Sequence, residues 1–161
     1  MPACLHLPGH SRARVLQGHP WVFGNELREP VPEALAGEGC ELRDARGYLL
    51  GSGIANPRSA IAWRRFSREA RDFDAAFLRE ALETSVARRE AGSVRRLVGS
   101  EADDLPGLVV DQYEDLLVAQ IATLALDRRA AQVGEVLGEL LAPGEIVWRN
   151  DAPARRREGL P

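Results

Sequence analysis

The run from Leu105 to Ile121 limits the fold of this 161-residue chain more than any other stretch. Leu105-Pro106-Gly107 closes an acidic loop that begins at Glu101. Pro106 fixes its own φ, and Gly107 admits backbone angles closed to other residues. Leu108-Val109-Val110 then starts a strand, Glu114-Asp115 forms a short polar link, and Leu116 to Ile121 gives a second apolar run. Two apolar runs on so short a link predict a hairpin.

The acids around this hairpin, Glu101, Asp103, Asp104 and Asp111, read as a solvated loop and turn. The sharper alternative is a carboxylate cluster for a hard cation or for acid–base work. Their spacing matches no cation-binding loop, and no histidine follows His19, so the usual proton shuttle is missing.

A chain of this length makes one large or two small domains, and with 45% hydrophobic residues it can bury a core. No basic–apolar leader opens it. Its longest mostly apolar run, Leu116 to Leu126, is about half of a bilayer span. The expectation is a cytoplasmic protein with no membrane partner. Cys4 and Cys40 are too far apart for a zinc knuckle or a redox dithiol, so two thiols in a reducing compartment are expected.

All 21 basic residues are arginine. Schiff-base and phosphate-loop lysine chemistry is therefore excluded. Every cation keeps its charge and offers a planar fork suited to phosphates and base edges. The net charge of −3 argues against a nucleic-acid partner, but its distribution does not. Residues 1–71 hold 10 arginines against 7 acids; residues 72–161 hold 11 against 17. This contrast predicts two domains, 1–71 and 72–161, with a local basic face on the first.

Residues 3–7 alternate as a strand, and Ser11 caps a short helix reaching Leu16. His19-Pro20-Trp21-Val22-Phe23 follows; Trp21 and Phe23 either plug a small barrel or offer an aromatic platform to a splayed base. Residues 24–37 read as loop. Three strands, 39–43, 48–55 and 60–66, come next, the last with Ile61, Trp63 and Arg65 on one face. Arg64, Arg65, Arg68 and Arg71 form the densest basic run of this half. It is either a solvated strand end or a phosphate-binding face joined by Arg58, Arg12 and Arg14. Four to six phosphate contacts would give a log affinity–log salt slope of roughly −3 to −4.

Asp72 or Asp74 caps a helix over 74–90, and a strand follows at 95–98. Asp127 caps a second helix over 128–141, whose Val133, Val136, Leu137, Leu140 and Leu141 recur at helical spacing. Glu145 to Trp148 forms a last strand. The tail from Arg155 reads as solvated.

The Glu101–Tyr113 stretch, His19-Pro20-Trp21-Val22-Phe23 and the segment from Arg149-Asn150-Asp151 to Leu160 occur in an order that resembles a known family. It is the bacterial ribosomal-RNA large-subunit (cytosine-C5) methyltransferases, and the likeness spans nearly the whole chain. The resemblance implies an α+β chain: a small PUA-like β-barrel, then a strand-strand-helix-strand-strand (EEHEE) domain. The family's third part, a Rossmann-like methyltransferase domain, is expected to be absent. A methyl-donor site needs a strand, a glycine-rich turn and a helix N-terminus, and no such unit is legible here. The family's C5 chemistry uses a cysteine thiolate, but Cys4 and Cys40 match no catalytic motif. No catalytic, cofactor-binding or metal residue is therefore expected, and S-adenosylmethionine belongs to the full-length family. The chain departs from the family at Asp104 and Glu114, where glycine is usual; positive φ there would store about 1 kcal/mol or more each.

The expected function is the RNA-recognition portion of a 23S rRNA (cytosine-C5) methyltransferase, inactive alone. Its partner is large-subunit ribosomal RNA, with a homodimer as the allowed oligomer. The candidate RNA-binding residues are Arg12, Arg14, Trp21, Arg58, Arg64, Arg65, Arg68 and Arg71. Two other readings compete: a free-standing RNA- or ribosome-binding module, and an enzyme using Glu101, Asp103, Asp104 or Asp111.

Overall fold

Short strands between Gly/Pro turns build the first sheet of the computed structural model, which describes residues 3–9 and 12–161, and for Arg12 the backbone alone. The strands are β1 (Cys4–Leu7), β2 (Trp21–Phe23), β3 (Glu38–Asp44), β4 (Leu49–Ala55) and β5 (Ile61–Ser67). Their order is β1-β3-β4-β5-β2. β1 runs parallel to β3, and the other pairs are antiparallel. Bulges interrupt three of the four pairings and bend the sheet. The result is a curled half-barrel, with β1 and β2 as its edges, in place of the small PUA-like barrel expected. Helix α1 covers Arg12–Leu16; Ser11, its expected cap, lies outside the described residues. The loop expected over 24–37 contains two 3-10 turns, Gly24–Glu26 and Glu33–Leu35.

Trp63, fully buried, is the plug of this half-barrel. Gly53 on β4 lets it in, since a Cβ there would collide with the indole ring. Trp21 and Phe23 do not fill that role: strand alternation sends Val22 inward and leaves both aromatics half-buried. The expected Ile61/Trp63/Arg65 face is also broken. Ala62 is an extra residue opposite Val22 and Phe23, and Phe66 opposite Ser52 and Gly53, so alternation fails at both points. β5 thus sends Ala62 and Trp63 into the first core and Phe66 into the second.

The second sheet has the order β6-β7-β8-β9: Val94–Gly99, Leu108–Tyr113, Leu116–Ile121 and Glu145–Trp148. β7 and β8 are the hairpin, paired from Leu108↔Ile121 to Tyr113↔Leu116. β8 and β9 are parallel, joined by α3 (Leu124–Asp127) and α4 (Ala130–Leu141). Helix α2 (Ala75–Ala87) precedes this sheet, capped by Asp74, whose carboxylate accepts from Phe77 N at 2.8 Å. Phe77, Leu82, Leu97, Leu117, Val133 and Leu137 pack in one core with Phe66 and Phe73. Phe66 meets Phe73 and Phe77 at centroid distances of 4.9 and 4.7 Å, an aromatic contact that ties β5 to the start of α2.

Two local expectations are corrected here. Asp127 does not cap a helix over 128–141; it ends α3, and the path breaks at Arg128-Arg129 before α4 begins. The terminal segment is not solvated: it forms α5 (Ala154–Arg157) and buries Arg155, Glu158 and Leu160.

Candidate nucleic-acid interface

Successive residues of a strand point to opposite sides, so β5 directs Arg64 and Arg65 to different places. Arg64 turns toward a cleft of about 400 Å³ between the two sheets, lined by Trp21, Phe23, Ile61, Thr123, Arg157 and Glu158 among others. Arg65 lines a separate groove of about 470 Å³ that also holds Arg68, Arg71 and Arg88.

Arg64 is anchored. Its Nη1 donates to Glu101 Oε1 at 3.2 Å and its Nη2 to Glu158 Oε1 at 3.0 Å. Its guanidinium lies 5.4 Å from the Trp21 ring centroid, and Trp21 Nε1 donates to the same Glu101 oxygen at 2.7 Å. The side chain is 15% exposed. Burial opposes the charge on Glu101, yet hydrogen bonds from Ser100 and Trp21, with the Arg64 charge, hold its carboxyl below the usual carboxylate range. Glu158 is held by three further bonds: Asn56 Nδ2 donates to its backbone oxygen and to Oε2, and Ser59 Oγ to Oε1 at 2.6 Å. Arg155 pins the same segment from the other side, donating to Ile121 O at 2.8 Å and Asp127 Oδ1 at 2.9 Å.

The other candidate residues divide by how freely they can meet a ligand. Arg65 donates to Gly18 O at 2.8 Å and Val15 O at 3.4 Å, so its fork is turned to backbone. Burial, and then the neighbouring charge of Arg68, lowers its pKa. Arg14 pairs with Glu26 at 2.9 Å and sits 5.6 Å over the Phe23 ring, at one wall of the cleft. Arg58 pairs with Glu33 at 3.3 Å and packs beside Gly159. Arg71 pairs with Glu80 and lies 5.1 Å over Phe77. Arg14, Arg58 and Arg71 keep 43%, 58% and 36% of their side chains exposed. Arg68 is exposed and makes no hydrogen bond or ion pair among the described residues. The side chain of Arg12 lies outside the described residues.

Trp21 and Arg64 thus line the aromatic cleft, Arg14 and Arg58 touch Phe23 and Gly159 beside it, and Arg65, Arg68 and Arg71 line the groove. The groove is not an unopposed basic channel, because Glu69, Glu80, Glu101, Asp103 and Asp104 share it. Arg157 and Arg88 are the residues that sequence reasoning missed. Both stand in the acidic half, and only the docking of α5 and α2 brings them to these clefts.

The acidic loop is equally structured. Asp103 is buried, bonded to Arg89 and to Gly99 N at 2.7 Å, and Asp111 forms a two-pronged pair with Arg96 at 2.8 and 3.1 Å. They are ion-paired, not solvated. No group of carboxylates, histidines and cysteines able to hold a metal ion occurs among the described residues. β6 runs into the acidic turn Ser100–Asp103 and β8 into Thr123, and neither is a glycine-rich strand-to-helix turn. No helix of the described residues is long and apolar enough to cross a membrane. Both thiols are free; burial raises the pKa of Cys4 and pushes Cys40 up to about 12.

Residues 6–68 match the model of the PUA-like domain family. The chain is 29% identical to ribosomal RNA large subunit methyltransferase I of Serratia proteamaculans, over 91% of its own length and 39% of that protein. With the protein of the same name from Tolumonas auensis the identity is 29%, over 99% of the chain and 42% of the relative. Among solved structures, a Streptococcus mutans protein described as a SAM-dependent methyltransferase superposes with a TM-score of 0.71 at 12% identity, covering 88% of this chain and 38% of that one. A methyltransferase structure in complex with SAH gives 0.72 at 12% identity, covering 90% and 40%. This chain carries a PUA-like domain and, over about two-fifths of their length, is similar to the ribosomal RNA large subunit methyltransferases I.

Proposed function

We propose that this chain is the RNA-recognition portion of an S-adenosylmethionine-dependent methyltransferase that modifies carbon 5 of a cytosine in 23S rRNA. Its role is to grip the RNA, while methyl transfer belongs to other parts of such an enzyme. In this reading residues 1–71 supply the RNA-facing part, and residues 72–161, which run strand-strand-strand-helix-strand after α2 instead of the strict strand-strand-helix-strand-strand order, brace it through the Arg64–Glu101 and Arg64–Glu158 pairs.

The observation that carries the reading is that Arg14, Arg58, Arg68 and Arg71, all on or beside the PUA-like domain, keep their guanidinium groups on the solvent side. Exposed ion pairs are worth only about 0–1 kcal/mol each, so a phosphate can replace Glu33 or Glu80 at little cost. Arg64 and Arg65 hold the surface in shape instead of meeting phosphate. Charge reversal of Arg58, Arg68 and Arg71 together should weaken binding to a 23S rRNA fragment by about tenfold or more at low salt. R46E, on the exposed Asp44–Gly47 turn, should leave it unchanged. Equal effects of the two changes would refute a localised interface.

A further inference from the structure

We propose that the cleft between the two sheets takes one unstacked nucleobase of a bound RNA strand, laid against Trp21, with the flanking phosphates on Arg157, Arg14 and Arg58. The inference rests on the RNA-binding reading above and names the part of the RNA that this cleft recognises.

Three observations converge on it. The first is shape and lining. The cleft, at about 400 Å³, is within the size range of small-ligand pockets. Its walls are mainly apolar or aromatic, from Trp21, Phe23, Ile61, Ala122 and Thr123. Trp21 and Phe23 are half-buried, not sealed in a core, and each neighbours the fully inward Val22. A half-buried aromatic ring at a cleft wall is the kind of surface a base stacks upon.

The second is that the Trp21 ring is fixed before any ligand arrives. Glu101 accepts its Nε1–H, and the Arg64 guanidinium stands over the ring, itself tied to Glu101 and Glu158. A platform held from two sides loses little side-chain freedom when a base lands on it. The cleft also draws on both sheets and α5, so it exists only when the two halves and the terminal segment are assembled.

The third is the charge at the rim. Arg157, in the last turn of α5, is exposed and has no hydrogen bond or ion pair among the described residues. Arg14 stacks on the Phe23 wall, and Arg58 packs beside Gly159, next to the Glu158 floor. A cation over an aromatic wall and a free fork at the opening suit a strand whose base enters and whose phosphates stay outside.

The test uses the full chain with two ligands, a single-stranded RNA of about ten nucleotides and the same length of ribose-phosphate without bases, and repeats the RNA with the variants W21A, W21F and R157E. The expected result is that W21A weakens RNA binding roughly 5- to 100-fold. W21F retains most of it, because the stacking face survives without the Glu101 bond. R157E weakens binding and flattens its salt dependence, and the baseless backbone binds at least about tenfold worse than the RNA. Circular dichroism melts of the variants separate misfolding from lost stacking; if W21A does not fold, the W21F and backbone comparisons decide. If RNA and baseless backbone bind equally well, or W21A binds like wild type, the base pocket is wrong while the RNA-binding reading stands. If wild type binds neither, both are wrong.

Discussion

At the scale of single residues, Ser100, Asp104, Glu114 and Ala142 hold left-handed backbone conformations that glycine would hold more easily, and two of them stand at turns of the second sheet. Asp104 has φ 59° and Glu114 φ 56°, both left-handed. Their residue types alone predict strain only if the turns demand positive φ, and the coordinates meet that condition. Asp104 ends the acidic 3-10 turn Ser100–Asp103 and Glu114 opens the hairpin link, so each sits where the chain reverses. Burial also raises the pKa of the Asp104 carboxyl, against the lowering effect of Arg88 and Arg65. Replacing each by glycine should raise stability by about 0.5–1 kcal/mol, because the Cβ penalty exceeds glycine's extra unfolded-state freedom. Chemical denaturation of D104G and E114G checks this; a loss of stability in both would show that the two side chains do more for the fold than their backbone costs it. Gly107, at φ +89°, shows the opposite case: any Cβ there would strike Thr123, whose Oγ1 donates to Pro106 O at 2.9 Å.

At the scale of elements, the second half was the more legible. The hairpin announces itself through two apolar runs on a two-residue link, and α4 through aliphatics at helical spacing. Such signals are local, and local packing honours them. The first half was read correctly as strands, but its inside and outside were not. Bulges at Phe66 and near Val22 shift alternation by a residue, and no pattern in the sequence marks a bulge. The terminal segment was missed for a different reason. Arg155-Arg156-Arg157-Glu158 looks like charge bound for solvent, and only long-range partners make burial tolerable: Ile121 and Asp127 for Arg155, Asn56, Ser59 and Arg64 for Glu158. The seven candidate residues whose side chains are described divide between the cleft and the groove, since sequence gives no view of which arginines meet carboxylates. The docked segment gives a sharp expectation. Glu158→Ala should cost about 2–4 kcal/mol, because it strips a buried partner from Arg64. A solvated tail would change stability by less than about 0.5 kcal/mol, and urea melts distinguish the two.

For the whole molecule, the account is that two sheets are locked into one surface by an ion-pair network in which Glu101 is central. Its carboxyl pKa lies below the ordinary value of 4.5 in the folded chain. A group depressed on folding adds stability that is present above its unfolded pKa and lost as pH falls through its folded one. Stability should therefore drop below about pH 4.5, and E101Q, which cannot titrate, should show a shallower drop over that window. Equal pH profiles for the two proteins would remove Glu101 from the lock.

The same lock bears on how RNA is held. Arg64 and Arg65 are committed internally, so three or four arginines on the first half remain for phosphate, fewer than the sequence alone implied. The measurement that tests this most directly is the affinity of the wild-type chain for single-stranded 23S rRNA fragments across a range of salt. With Arg157 counted beside them, a log–log slope of roughly −2 to −3.5 is expected. No binding at low salt, or binding that ignores salt, would contradict it.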